Sequence, residues 1–580
     1  MDHWHAFDRY VADALDSWHC PGVAIAVVRG DDVVYRAAHG LRDVERQLPL
    51  TPDSRFAMAS VTKSFTAMSV ALLVDEGRLA WDVPVREFLP ELVLSDPYVT
   101  AHLTLRDMLS HRSGLPRHDL AAWRLDLPRA EFVKRLRHLR FSAGFRERYQ
   151  YNNLMYYTVA HLVDRVAGVR WEDFVRARIF EPLGMTASNF LPDPPQAGQP
   201  TALGYRVERD EQGAATGLVA MPFGAHTELS PGAAGALFST LDDQVRWLGV
   251  QANGGRWGDV RLVSPDTCAQ MHLPVTVKPG GGAKEALMGN AVFTYAMGWS
   301  VEPYRGHTLA QHGGNVEGHS LMVGFVPRER VGVVVLSNVA QLPLRDALLY
   351  EALDHALGLE GRDWNARFHD HHDPLLRAAA HGKRDAAQGR VADAPPGHPL
   401  EAYAGAYRAD GYPDLAVRRA GDELQARLVG SLDWAPLRHV HFEAFEWDLS
   451  DFFDTTLRVR FLTDEHGEVE AVAVPIEPEV ADATFRRRPL ALPAEVAAAV
   501  LGTYDTPIEG LTFTVAAGAD RILVTQAGAT ATTIEPYRLE DDAIWFRAKR
   551  TRYEFVREGE RVTRLLVRGS GLTLEARRQP

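Results

Sequence analysis

The segment FAMASVTKSF, Phe56 to Phe65, sets a lysine three residues after a serine, at the entrance to an apolar run that ends at Gly77. The chain makes that lysine conspicuous. Of its 63 basic residues only six are lysine: Lys63, Lys134, Lys278, Lys284, Lys383 and Lys549. A serine and a lysine three apart on a helix share one face, a turn from each other. At a helix start, free backbone N–H groups and the dipole add positive potential. That field favours the neutral amine, so Lys63 can take a proton from Ser60. A guanidinium stays charged at every working pH and cannot. The spacing alone arises often by chance, so the reading depends on what surrounds it.

Upstream of the pair, GVAIAVVRG and DDVVYRAAHG read as two strands joined by an Asp-Asp turn, after a helix marked by Trp4, Phe7, Tyr10, Val11, Leu15 and Trp18. Downstream, FTAMSVALLVDEG is a helix, and helical patterns follow at about 104–111, 130–139, 154–167 and 171–180, with another opening at STLDDQVRWLGV. Strand-like runs return with YAMGWSVEPY, HTLAQHGG, SLMVGFVP and VGVVVLSN, before the helix LRDALLYEAL. Strands at both ends of a helical middle predict an α+β domain over 1–360 with one sheet closed by both termini.

Residues 361–398 are charged, Ala-rich and finally Pro-rich, which predicts a partly helical linker. Beyond it the chain repeats itself. YAGAY at Tyr403–Tyr407 is echoed by VLGTY at Val500–Tyr504, RVRFLTDEHGEVEAVAV by RYEFVREGERVTRLLVR, and ATFRRRP by LEARRQP. Each copy alternates short strands and turns, the pattern of a small antiparallel β-barrel, over 399–489 and 490–580. One larger barrel built from both copies is the alternative.

Two further stretches supply partners for Ser60 and Lys63. In YQYNNLMYYTVAHLV, Tyr151 and Asn153 stand where a loop enters a helix. A tyrosine beside a lysine cation ionises more easily and can relay a proton to a leaving group. Asn153 can hydrogen-bond a substrate carbonyl. In LAQHGGNVEGHS, His312-Gly313-Gly314 ends a strand run, and the glycines let another backbone come close. A substrate strand can lie along that edge, with the N–H groups of Asn315 and Ser60 forming an oxyanion hole.

The order Ser60-x-x-Lys63, Tyr151-x-Asn153, His312-x-Gly314 resembles the serine beta-lactamase and penicillin-binding-protein superfamily, and most of all its class C beta-lactamase-like branch. LTLRDMLSHRSGLP, EPLGMTASNF, SPGAAGALFSTLDD and YAMGWSV resemble that branch's wording too, and the resemblance covers roughly 5–357. It implies an antiparallel sheet flanked by helices, a helical region, and an active site in the groove between them, with no metal or cofactor. It also implies Ser60 as nucleophile, Lys63 as its base and Tyr151 as the shared base and acid, through an ester on Ser60 that water releases. Whether Lys63 or Tyr151 takes the first proton stays open here.

The third motif in this superfamily is commonly Lys-Thr-Gly, with the lysine near a substrate carboxylate. Histidine in its place is mostly neutral at pH 7. Losing that charge-assisted contact weakens selection for terminal carboxylates, and with it the expectation of penicillin or D-Ala-D-Ala hydrolysis. The His-x-Gly variant with two C-terminal barrels resembles the D-stereospecific aminopeptidases and amidases, whose substrates carry a free amine. In such relatives a barrel loop can reach the groove. The expected function is therefore hydrolysis of small peptides or amides with an N-terminal D-residue. A short-chain carboxylesterase, a beta-lactamase or carboxypeptidase-like penicillin-binding protein, and a sensor that acylates and stops are the alternatives.

A net charge of −13 argues against nucleic acid and anionic membranes as partners. Cys20 and Cys268, the only cysteines, read as reduced apolar side chains. The N-terminus has no signal-peptide pattern and no apolar run approaches a membrane span, so a cytoplasmic protein is the default, with a homodimer possible. His369–Asp373, HDHHD, reads as a solvated segment rather than a metal cluster. His111 and Arg112 read as loop braces, His319 as a residue lining the groove, and the aromatics of FEAFEWDLSDFFD as barrel interior.

Overall fold

Val23 to Val28 is buried on both faces, which only a strand in the middle of a covered sheet achieves. The computed structural model describes residues 2–580 apart from 124, 191–198, 211, 222–231, 281, 291, 341, 387–390, 392, 451–454, 519–520, 541, 549, 560 and 570. Helix α1 (Asp2–Trp18) leads into a hairpin of β1 (Gly22–Arg29) and β2 (Asp32–Asp43), turned at Gly30-Asp31, and a short β3 (Leu48–Pro49) follows. Six strands from much later in the chain complete the sheet. They are β4 (Thr276–Lys278), β5 (Phe293–Tyr295), β6 (Ser300–Tyr304), β7 (His307–Val316), β8 (His319–Val326) and β9 (Val331–Ser337). Their order is β4-β5-β6-β7-β8-β9-β1-β2-β3, antiparallel throughout, with β1 against β9 from Val23↔Ser337 to Arg29↔Val331. The two ends of the domain thus share one sheet, as the sequence predicts.

The helices that matter here are α2 (Thr62–Asp75), α3 (Asn153–Ala167), α4 (Leu241–Ala252), α5 (Leu344–Leu357) and α6 (Trp364–Ala386). Val23, Ile25 and Val27 face a core made with α1, α5 and the start of α6. Ala24, Ala26 and Val28 face the larger core of α2, α4 and the helical region. Helix α2 is buried continuously from Thr62 to Leu73, so it has no solvent face and its hydroxyls need internal partners. They have them. Thr66 donates to the Ala233 carbonyl at 2.7 Å, while Ser64 and Ser69 accept the indole N–H groups of Trp247 at 3.1 Å and Trp171 at 3.2 Å. Left unmet, each such group would cost about 1–3 kcal/mol.

Residues 361–398, read from sequence as a linker, begin instead with packed structure. Trp364 and Phe368 are buried with α1 and α5, Trp364 donates its indole N–H to Asp354 at 2.8 Å, and His369 stacks on Trp18 with ring centroids 3.8 Å apart. Two large aromatics four residues apart on a helix outweigh the charged composition around them. His369–Asp373 accordingly forms part of this helix, and among the described residues no group of three side chains is placed to hold a metal.

The two repeats fold as two separate closed barrels of eight antiparallel strands each, from Gly405–Arg408 to Ala483–Arg487 and from Gly502–Asp505 to Leu572–Arg578. Each closes its first strand on its last, through Tyr407↔Arg487 and Tyr504↔Arg578. The duplication reaches single atoms. Tyr407 and Tyr504 donate to the carbonyls of Tyr403 (2.6 Å) and Val500 (2.8 Å), and Arg487 and Arg578 donate to those of Ala402 (3.0 Å) and Ala499 (2.7 Å). Phe445 and Trp447 fill the first barrel as expected, Phe442 is instead 57% exposed, and Phe452 and Phe453 lie outside the described residues.

Candidate active site

Ser60 stands in a tight turn, Ala59–Val61, immediately before α2. Ala59 there has φ +44°, a left-handed conformation that a side-chain-bearing residue adopts only under constraint. Ser60 Oγ lies 3.1 Å from Lys63 Nζ and accepts the phenolic O–H of Tyr151 at 2.8 Å. Lys63 is fully buried, donates to the Ala234 carbonyl at 2.9 Å, and sits 4.7 Å and 5.4 Å from the ring centres of Tyr151 and Tyr156. Among the described residues it has no carboxylate within ion-pair reach. Burial first, and then the Arg117 cation, hold its amine well below the ordinary lysine range, with Asp119 pulling partly back.

Tyr151 moves the other way. Burial pushes its phenol up, and this outweighs the Ser60 hydrogen bond and the Arg117 charge, which favour ionisation. The sequence-based idea of a tyrosine that ionises easily beside a cation is therefore reversed. A buried lysine whose amine is held well below its ordinary range gives the phenol less cationic help than an exposed one would.

Asn152 caps α3 by accepting the Met155 N–H at 2.9 Å, and Asn153 follows it. Asn153 Nδ2 donates to Asp119 Oδ1 at 2.9 Å, while its Oδ1 is buried and receives no hydrogen bond. One of its two amide N–H groups is thus engaged by Asp119, which leaves the second able to serve a substrate carbonyl.

The third motif lies on β7. β6 pairs with β7 only as far as Ser300↔Gln311, so His312–Val316 has β8 on one side and an edge without a strand partner on the other among the described residues. Gly314 is the point of contact with the nucleophile's turn. A Cβ there would come 2.5 Å from the Met58 carbonyl oxygen and 3.0 Å from Ala59 Cβ, so only glycine lets the strand pass this close. Gly313 faces the opposite side of the sheet, towards Met322 and Arg345. The Asn315 side chain turns that way too, with Oδ1 accepting from Ser320 at 2.8 Å and Arg345 at 2.9 Å, so only its backbone borders the groove edge.

His312 differs from its expected place at the substrate. It is 6% exposed, with Nε2 2.9 Å from the Tyr295 hydroxyl and Nδ1 2.8 Å from the Gly313 carbonyl. Burial lowers it to about 3, so the ring is neutral. Burial also keeps Tyr295 protonated, so its O–H donates to Nε2 and the Nδ1–H donates to Gly313. Both ring nitrogens are occupied.

His111 braces, as read. Its Nδ1 accepts the Asn152 N–H at 3.0 Å and its carbonyl accepts that of Gln150 at 2.8 Å. Arg112 pairs with Asp107 at 2.6 Å. His319 is buried against the Ala202 carbonyl at 3.2 Å rather than lining the groove. The sequence reading missed Arg117, whose guanidinium is 5.1 Å from the Tyr151 ring centre, and Asp119, which pairs with it at 2.6 Å. Their only signal is an oppositely charged pair two apart in a Pro-containing turn, PRHD.

A hydroxyl held between an amine whose pKa burial lowers and a phenol that burial keeps protonated can lose its proton to one and have the other supply a leaving group. Comparison with known proteins gives the family. A family model described as beta-lactamase matches residues 7–393. The chain belongs to the beta-lactamase family. Members of this family are serine hydrolases, and hydrolysis is the activity class of this chain. A second model, described as a domain of unknown function (DUF3471), matches residues 389–492, the span of the first barrel. Among curated relatives, unguisins hydrolase ungD' of Aspergillus campestris is 30% identical over 430 residues, 71% of this chain and 77% of that protein. Penicillin-binding protein 4 of Amycolatopsis lactamdurans is 29% identical over 58% of this chain and 86% of its own length. Among solved structures, the octameric penicillin-binding protein homologue from Pyrococcus abyssi aligns over 99% of this chain and 100% of its own. Its TM-score is 0.53 at 19% identity, a likeness of fold. No helix among the described residues of this beta-lactamase-family chain is long and apolar enough to cross a membrane.

Proposed function

We propose that the protein hydrolyses amide bonds in small peptides or amides beside a free amine on a D-residue, through an acyl-enzyme on Ser60. The observation that carries the reading is Ser60 Oγ between Lys63 Nζ at 3.1 Å and Tyr151 Oη at 2.8 Å, with burial holding the amine well below the ordinary lysine range. Lys63 takes the hydroxyl proton as Oγ bonds to the carbonyl carbon. The backbone N–H groups of Ser60 and Asn315 face the oxyanion. Tyr151 gives its proton to the departing nitrogen and recovers one from the Lys63 ammonium. Water then attacks the ester, passes a proton to Lys63, and Ser60 regains its own.

Two features support a free amine over a free carboxylate. His312 is neutral and internally bonded, so the motif strand offers no permanent cation. Asp119, beside Asn153 and paired with Arg117 at 2.6 Å, brings a carboxylate whose charge is felt at both Lys63 and Tyr151 alongside the larger Arg117 charge. The D-preference rests on the motif resemblance to D-stereospecific aminopeptidases. Likeness to a relative named as a hydrolase supports turnover over stalled acylation.

Initial rates on D-alanine, L-alanine and N-acetyl-D-alanine p-nitroanilides and on a short-chain ester test this. The D-amide with a free amine is expected to exceed both other amides by about tenfold or more, the scale on which one polar contact discriminates. Fast ester cleavage with no amide cleavage replaces the peptidase with an esterase. A stable adduct without turnover replaces it with an acylating sensor.

A further inference from the structure

The segment that brings Arg117 and Asp119 to Tyr151 and Asn153 is not self-supporting. His118, between them, has φ +45° and ψ +38°, left-handed and costly for histidine. Its partners come largely from the first barrel. Glu477 accepts the His118 backbone N–H at 3.0 Å, and the Tyr412 hydroxyl lies 2.7 Å from His118 Nδ1. His118 Nε2 completes the set at 2.8 Å from the Arg140 carbonyl. Just beyond, Leu120 is buried within the first barrel's own hydrophobic cluster and Trp123 packs against it. The Asp126 N–H bonds to the Gly430 carbonyl at 3.2 Å.

The same barrel edge holds the second segment. Glu479 Oε2 accepts from Ser142 at 2.8 Å, Arg148 at 2.9 Å and Gln150 at 2.7 Å. Gln150 immediately precedes Tyr151. Glu477 and Glu479 thus stand two residues apart on one barrel loop. One fixes the turn bearing Arg117 and Asp119, and the other fixes the approach to Tyr151.

We propose that the first barrel is a working part of the active site, its 476–480 loop and Tyr412 acting as positioning residues that set residues 117–119 and 149–151 against Ser60. The carboxylates touch no reacting atom. They act through Arg117, Asp119 and Tyr151. The inference rests on the Ser60, Lys63 and Tyr151 reading for its catalytic consequence, but the bracing itself does not.

The test uses the full-length chain with Glu477→Ala, Glu479→Ala, the pair together, and Glu479→Gln, which keeps one acceptor oxygen. Three measurements are made on each. Hydrogen exchange at 115–120 and 149–153 reads the bracing without any substrate. The rate of Ser60 labelling by a fluorophosphonate reads the nucleophile. The pH dependence of that rate reads the surroundings of Lys63, which is faced by Tyr151, Tyr156, Arg117, Asp119 and the neutral His111 and His312. The double variant is expected to exchange faster at both segments and to label about ten- to a hundredfold more slowly, the cost of an ångström-scale misplacement. Its acid limb is expected to move to higher pH, because Lys63 loses the Arg117 charge that helps keep it neutral. Glu479→Gln is expected to recover much of the rate.

Unchanged exchange, or a folded double variant with wild-type labelling and an unmoved limb, overturns the proposal. So does a uniform loss with no pH change, which marks a merely structural contact. If wild-type Ser60 is not labelled at all, the functional reading fails, and the exchange data alone judge the bracing.

Discussion

Lys63 is where the choice of one side chain decides the chemistry. Its burial without a carboxylate partner would be a defect in a structural lysine, yet it leaves an amine able to accept a proton. Lys63→Arg keeps positive charge, removes the base and is expected to lower kcat/KM by about 10²–10⁴-fold, the usual worth of a positioned general base. The pH profile follows from the signs. Lys63 works only when neutral, that is above its lowered pKa, so activity is lost on acidification through that lowered value, well below the ordinary lysine range. Tyr151 works only when protonated, and burial moves its ionisation above the ordinary tyrosine range, so no alkaline loss from it is expected near pH 10. An acid limb at the position of an ordinary lysine would contradict this assignment. Ser60, Lys63 and Tyr151 were legible in the sequence because one helical turn and a fixed motif order relate them. Arg117 and Asp119 were not, because they reach Tyr151 and Asn153 from an irregular turn whose shape depends on residues about 360 positions away.

At the scale of elements, the site is a turn and a strand pressed together. Gly314 is the contact, and Gly313 is a built-in control on the other face. Gly314→Ala forces backbone apart at Met58, with a stability cost of about 1–3 kcal/mol typical of overpacking. It is also expected to lower kcat, since the N–H groups of Ser60 and Asn315 separate. Gly313→Ala meets only the flexible ends of Met322 and Arg345, at 3.1 and 3.2 Å, and is expected to cost less in both. Urea unfolding and kcat on the two variants check this, and equal effects would remove the close-approach argument. Strands such as β1 were readable because a doubly buried strand is a continuous apolar run. The packing of helix α6 was not, since its composition says partly helical linker while Trp364 and Phe368 say core. His312 misled for a related reason. A motif position fixes where a residue stands along β7, but only the tertiary neighbour Tyr295 decides whether its ring is free.

For the whole molecule, the duplication announced two barrels, but their unequal roles follow from docking that no repeat encodes. Among the described residues, ion pairs join the second barrel to the first. Arg552 pairs with Asp464 at 3.7 Å and Glu468 at 3.8 Å, and Arg550 with Glu465 at 3.5 Å. Ion pairs of this kind are worth about 0–1 kcal/mol each. The first barrel closes on itself without them, through Tyr407↔Arg487 and the Arg487 bond to Ala402. A chain ended after Pro489 is therefore expected to keep kcat/KM within about threefold of the full protein, the scale of one such surface pair. A chain ended after His398 uncovers Leu120 and Trp123 and releases His118 from Glu477, and is expected to lose activity even where its core remains folded. Assaying both truncations beside the intact chain, with circular dichroism to register folding, sets the two barrels apart. If the shorter chain stays fully active, or the longer one fails while folded, the division of labour between them is wrong.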